Sequence, residues 1–167
     1  MTLTKRVNRL SRVWERRRRV NPILTVPDMD LVAIDPGETS GVVEIRRGQL
    51  ALARSLSYRR IIEAVAFNGE PVRSWQKCKL WVVEDFRVYP WVSAGFNAVL
   101  SARLLGALEA AALRGGVRTV YQMAGLAKQF MNDDKLRLLG WWNLLKDRHQ
   151  RDAARHAACF MLRKKVT

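Results

Sequence analysis

Leu31-Val32-Ala33-Ile34-Asp35-Pro36-Gly37 is the stretch on which the fold turns. Four apolar residues with no charge among them read as a buried strand, and Asp-Pro-Gly breaks that strand into a turn. Working outward, Gly41-Val42-Val43-Glu44-Ile45 reads as the returning strand, and Arg46-Arg47-Gly48 turns it into a third near 50–56. Helical spacing of Ile61, Ile62 and Val65 predicts a helix over 58–67, closed by Asn68-Gly69. Lys79-Leu80-Trp81-Val82-Val83 is a second central strand running straight into Glu84-Asp85. An Ala- and Leu-rich stretch over 93–113, stopped by Gly115-Gly116, predicts a long helix. A short strand at 118–122, helical turns at 125–131 and 133–139, and a last helix over about 147–162 complete the chain. The order βββαβαβα predicts an α/β domain: a mixed five-stranded sheet, made of a three-strand antiparallel meander plus two further strands, flanked by helices.

The 167 residues suit one ordinary domain with a tail, and the 49% apolar content closes a core, which excludes wholesale disorder and collagen-like repeats. Thirty Lys and Arg stand against fifteen Asp and Glu, a formal +15. A field of that sign points to a polyanionic partner. Nucleic acid is favoured over lipid, because no stretch approaches the roughly 18 apolar residues of a membrane span. The first thirty residues lack the apolar core of a secretion signal, so an intracellular location is expected. Cys78 and Cys159, far apart, suit a reducing compartment and form neither a disulfide framework nor a zinc cluster. Residues 1–30 form a basic Arg-rich extension, with eight cations against three acids, and 31–167 form the folded domain. Trp14 beside Arg16, Arg17, Arg18 and Arg19 has the make-up of a nucleic-acid arm, with a solvated tail as the alternative.

In so basic a chain the informative residues are carboxylates. Asp35 ends the first buried strand, Glu84 ends the fourth, and Asp152 lies in the first half of the last helix, with His149 three residues earlier on the same face. If the two strands are neighbours, Asp35 and Glu84 emerge side by side where open sheets place their sites. Three carboxylates on one spot repel one another unless a cation neutralises them, and oxygen ligands favour Mg²⁺, with Mn²⁺ able to substitute. Two such ions about 3.5–4 Å apart would clamp the attacking water and the leaving 3′ oxygen of a phosphodiester. Each acid also has a plainer reading: a turn for Asp35, a surface pair for Glu84, and neutralisation of Arg148, Arg151 or Arg155 for Asp152. Asp85 faces away from Glu84 and reads as a helix cap or a group behind the site, while Asp133 and Asp134 read as caps of the helix they precede. His156, four residues beyond Asp152, reads as a core or supporting residue, and Trp141-Trp142 as packing for the last helices or a base-stacking surface.

These residues together resemble RuvC-type Holliday junction resolvases of the RNase H-like superfamily, over roughly residues 31–163. Residues 31–37 with Gly41-Val42-Val43 are similar to the family's opening hairpin, Trp81-Val82-Val83-Glu84 to its second acidic strand, and His149-Gln150-Arg151-Asp152-Ala153-Ala154-Arg155-His156-Ala157 to its C-terminal motif. The resemblance is greatest to the compact bacteriophage members, which implies a viral origin. It implies that Asp35, Glu84 and Asp152 bind the metals and that His149 ligates an ion or positions the water. Lys128 falls where the family has a lysine near the scissile phosphate, and Lys135 is a looser match to a second. Phe86, Arg87 and Tyr89, with Trp91, stand where the family reaches the branch point, or are buried in the sheet–helix joint. The implied activity is crossover junction endonuclease, with branched DNA as substrate and two symmetric nicks delivered by a homodimer. The long helix that would form the dimer carries a stripe of Leu100, Leu104, Leu105, Leu108 and Ala112, which equally suits covering the protein's own sheet. The Arg-rich extension departs from the family pattern, and junction sequence preference does not carry over. The alternatives are an RNase H-like nuclease acting on RNA or an RNA–DNA hybrid, and a non-catalytic basic nucleic-acid-binding protein.

Overall fold

Alternation along the first strand sets the layers. The computed structural model describes residues 26–85 and 96–163. Three strands, β1 (Leu31–Asp35), β2 (Thr39–Arg46) and β3 (Gln49–Ser57), form the expected antiparallel meander. Two more, β4 (Leu80–Asp85) and β5 (Arg118–Met123), add in parallel, giving the order β3-β2-β1-β4-β5. The β2–β3 connection is a two-residue hairpin in which Arg47 and Gly48 have φ of 50° and 71°, the left-handed pair that matches the twist of the flanking strands.

Leu31 and Ala33 point to one face and Val32 and Ile34 to the other, and all four are fully buried. The second face is covered by α1 (Tyr58–Ala66), α2 (Val72–Trp75) and α3 (Phe96–Gly115). Leu104, Leu108 and Ala112 of α3 are buried there, so the stripe singled out for dimerisation covers this protein's own sheet. The first face is covered by α4 (Ala124–Phe130), α5 (Asp133–Leu138), a 3₁₀ turn (Trp142–Leu144) and α6 (Arg148–Arg163). The mixed sheet between two helical layers is the expected class. Among the described residues no helix is long and apolar enough to cross a membrane.

Two local readings are corrected. The helix after Met131 is capped by Asn132, whose side chain accepts from the Lys135 amide at 3.0 Å, and Asp133 and Asp134 fall inside its first turn. All three residues carry helix-start chemistry, and only the backbone decides which takes the cap. The four-residue α2 was not anticipated, being too short to show a period. It brings Trp75 edge-on to Trp81 at 6.3 Å between ring centres, with Trp81 Nε1 donating to Trp75 O at 3.0 Å.

The last helix lies unusually close to the sheet. Its inner face is Ala153, Ala154, Ala157 and Ala158, all fully buried, and Gly41 on β2 completes the fit. A Cβ at position 41 would come within 1.8 Å of His149 O, so only glycine allows this approach. The start of α6 is pinned by Asp147, which accepts from the Gln150 amide at 3.0 Å and from Ser55 Oγ on β3 at 2.6 Å. Burial pushes the Asp147 carboxyl up, but these hydrogen bonds outweigh it and hold the group below its ordinary value.

Candidate active site

The same alternation that layers the core aims the acids. Asp35 follows Leu31 and Ala33 onto the face covered by α6, and Glu84 follows Val82 onto that face. The strands carrying them are parallel neighbours, with Ile34 opposite Val83, so the two carboxyls leave the sheet side by side. Ser40 Oγ ties the intervening turn, accepting from the Gly37 amide and donating to Gly37 O, both at 3.2 Å. Ser101 Oγ of α3 donates to Pro36 O at 3.2 Å from below.

The Asp35 and Glu84 carboxyls act directly on each other. Burial, the charge and hydrogen bond of Glu84, and the charge of Asp152 push the Asp35 carboxyl up to about 8, with Lys128 opposing. Burial pushes Glu84 up too, but His156 and the Asp35 hydrogen bond outweigh it and leave Glu84 below its usual value. Burial and the neighbouring charges thus favour the protonated form of Asp35, as expected for like charges brought together. Asp152 reaches the same cluster from α6 and is neutralised from two sides. Lys128 Nζ of α4 lies 3.2 Å from its Oδ2, and Arg155, one turn on, pairs with Asp152 and also with Asp133. The pairing with Arg155 is the plainer sequence reading of Asp152, and it coexists with the cluster. Lys128 and Arg155, with Asn132, Asp133 and Asp134, line an open cleft of about 430 Å³ beside the acids.

Among the described residues, no three His, Cys, Asp or Glu side chains stand close enough together to hold an ion as they are arranged. The donor chemistry nonetheless fits a hard divalent ion: three carboxylates from three elements, one pushed up to about 8 by burial and by the charges of the other two, and another paired with side-chain cations.

The other expected residues fall as follows. His149 is half-buried at the start of α6, where its Nε2 accepts from Arg148 Nε at 3.4 Å. Lys135 donates to Phe130 O at 2.5 Å and lies over the Phe130 ring at 4.9 Å. Trp141 is buried, and the guanidinium groups of Arg137 and Arg151 lie 4.3 Å and 4.1 Å from the Trp142 ring centre. Both cysteines are buried and their thiols pushed up by that burial, Cys78 to about 11, so neither is a reactive thiol. Trp14, Arg16, Arg17, Arg18, Arg19, Phe86, Arg87, Tyr89 and Trp91 lie outside the described residues.

Two residues that the sequence reading assigned to no site, Gln122 and Asp133, touch this cluster. Gln122 sits on β5 opposite Glu84 and faces the same side, and Asp133 anchors Arg155. The signal for Gln122 was its polarity at the end of the strand, in phase with Val120. That for Asp133 was masked by its helix-start position.

No family model and no curated protein matches the sequence. Solved structures do match. RuvC of T. thermophilus in complex with a Holliday junction substrate aligns with a TM-score of 0.61 at 19% identity, over 83% of this chain and 96% of that one. A second Thermus thermophilus RuvC structure aligns at 0.56 and 18%, with the same coverage. Strand order, helical layers and near-complete coverage of those chains agree, and the chain has the RNase H-like fold of RuvC.

Proposed function

We propose that this chain is a divalent-metal-dependent endonuclease that resolves Holliday junctions and other branched DNA by paired phosphodiester hydrolysis. The observation that carries the reading is the emergence of Asp35 and Glu84 side by side at one end of the sheet, with Asp152 of the last helix acting on Asp35 and paired with Lys128, inside a protein of formal charge +15. The RuvC fold supports it.

Asp35 and Glu84 would hold one side of the metal site and Asp152 the other, with Mg²⁺ the expected ion, Mn²⁺ a substitute and two ions per site. When bound, the ions lower the pKa of water and stabilise the leaving oxygen. The protein's own groups do the rest. Asp35, Glu84 and Asp152 would hold the ions as carboxylates, the Asp35 proton passing to water. Lys128, whose half-exposed ammonium lies 3.2 Å from Asp152 at the rim of the cleft, would bind a phosphate oxygen there. His149 is assigned to the same site as a ligand or water-positioning group, and Lys135 to the DNA path. Residues 1–30, with Arg16 to Arg19, are assigned to non-specific backbone contact, and Phe86, Arg87 and Tyr89 to the branch point. Two symmetric nicks require a twofold homodimer. An intracellular, phage-encoded origin fits this activity.

The test is nicking of a labelled four-way junction, beside linear duplex and RNA–DNA hybrid, with Mg²⁺, Mn²⁺ or EDTA. Paired, metal-dependent nicks across the branch that vanish in Asp35→Asn, with DNA binding kept or tightened, are the expected result. Cutting of the hybrid alone would make it a ribonuclease. Binding without any cleavage would overturn the enzyme reading.

A further inference from the structure

We infer that His156, braced by Gln122, is a positioning residue that fixes the Glu84 carboxylate for metal binding; this rests on the metal-dependent reading above. His156 is completely buried in α6. Its Nε2 lies 2.9 Å from Glu84 Oε2 on β4, and its Nδ1 lies 3.1 Å from Gln122 Oε1 on β5. Glu84 and Gln122 are register partners on adjacent parallel strands, so helix and strands close a three-membered bracket around one imidazole.

An imidazole there needs a reason. The inner face of α6 is otherwise Ala153, Ala154, Ala157, Ala158 and Met161, all fully buried, and a polar ring among them costs desolvation unless its nitrogens are satisfied. Each nitrogen has an oxygen within hydrogen-bond distance, and one of those partners is a candidate metal ligand. With Oε2 committed to the ring, the carboxylate loses its freedom to turn about its last torsion and its plane is set beside Asp35. Carboxylates that ligate metals are characteristically held in this way, and loss of such a partner typically weakens metal binding 10–100-fold. Gln122 in turn stops the ring from rotating. The bracket differs from the pairing of Arg155 with Asp152, because it reaches the acid from the protein interior and leaves the cleft side open.

The experiment is titration of the whole DNA-free protein with Mn²⁺, reading free ion by its paramagnetic resonance, together with thermal melting. His156→Leu keeps the volume and removes both hydrogen bonds, whereas His156→Gln keeps a donor of similar reach. The expected result is a half-saturation weakened 10–100-fold in His156→Leu and recovered to within roughly fivefold in His156→Gln. Gln122→Leu, which leaves the ring in place, is expected to weaken it roughly threefold to tenfold, and it carries the test alone if His156→Leu does not fold. A ring that only packs would move the melting temperature and leave the Mn²⁺ curve where the wild type has it. Wild-type Mn²⁺ binding with unchanged curves in the folded variants overturns this inference alone. Absence of Mn²⁺ binding in the wild type overturns it together with the metal-dependent reading.

Discussion

The strand-borne acids and the helix-borne acid answer the same electrostatic problem in opposite ways. Asp35 and Glu84, side by side on β1 and β4, meet it through protonation, burial and their mutual charge pushing the Asp35 carboxyl up to about 8 against Lys128. Asp152 on α6 is instead matched by Lys128 and Arg155. Strand ends in a parallel pair are too close and too buried to admit a long side chain. A helix face has neighbours one turn away that reach it easily. The metal-free site is thus half neutralised by protonation and half by ion pairing, and a divalent ion would replace both.

That contrast can be broken from either side. The largest effect is expected on the strand side: Asp35→Asn should lower junction nicking by ~10³-fold or more, several kcal/mol of transition-state stabilisation, measured in single-turnover assays with excess Mg²⁺. Next comes the helix side, where Arg155→Ala strands Asp152 and Asp133. Removing one partner of a buried pair costs ~3–5 kcal/mol, and the half exposure of Asp133 reduces that to about 2 kcal/mol. Urea unfolding without metal checks it, and Asp133→Ala in the same background should add less than it does alone.

A third prediction sharpens the protonation half. Asp35 binds its proton more tightly folded than unfolded, so between its ordinary value of 3.8 and about 8 the folded state holds more protons, and rising pH destabilises the metal-free protein. Asp35→Asn removes that dependence. Its stability advantage over wild type should widen from pH 5 to pH 8, by at most about 1 kcal/mol per pH unit, as read by denaturant midpoints. A constant gap across that range would mean that the proton is not on Asp35. The smallest effect is expected for Lys128→Ala: its side chain is 53% exposed, so stability without metal should change by less than ~0.5 kcal/mol.

Much of this was legible in the sequence, for reasons that particular residues make plain. Leu31 to Ile34 and Trp81 to Val83 are short charge-free runs, and an acid ending each declares both a strand and a site. Parity then places Asp35 and Glu84 on one face without further information. His156 and Arg155 were harder. Spaced four and three residues from Asp152, they read as ordinary helix neighbours, and only the sheet beneath shows that one points inward to Glu84 and the other across to Asp133. Gln122 depends on the pairing of β4 with β5, a contact between segments nearly forty residues apart. Asp133 lost its reading to a one-residue shift of the cap onto Asn132. The α3 stripe was ambiguous in principle, because a face that covers a sheet and one that meets a second subunit have the same composition.

Gly41 has a consequence for how the site tolerates change. Where side chains meet side chains, a misfit is absorbed by rotamer shifts spread over several residues. At Gly41 a strand backbone stops a helix backbone, and there is no slack to absorb anything. The height of Asp152 above the strand ends is gauged by one missing carbon, so a library of substitutions should show a narrow gap in tolerance at position 41, set in a strand whose apolar neighbours accept exchange.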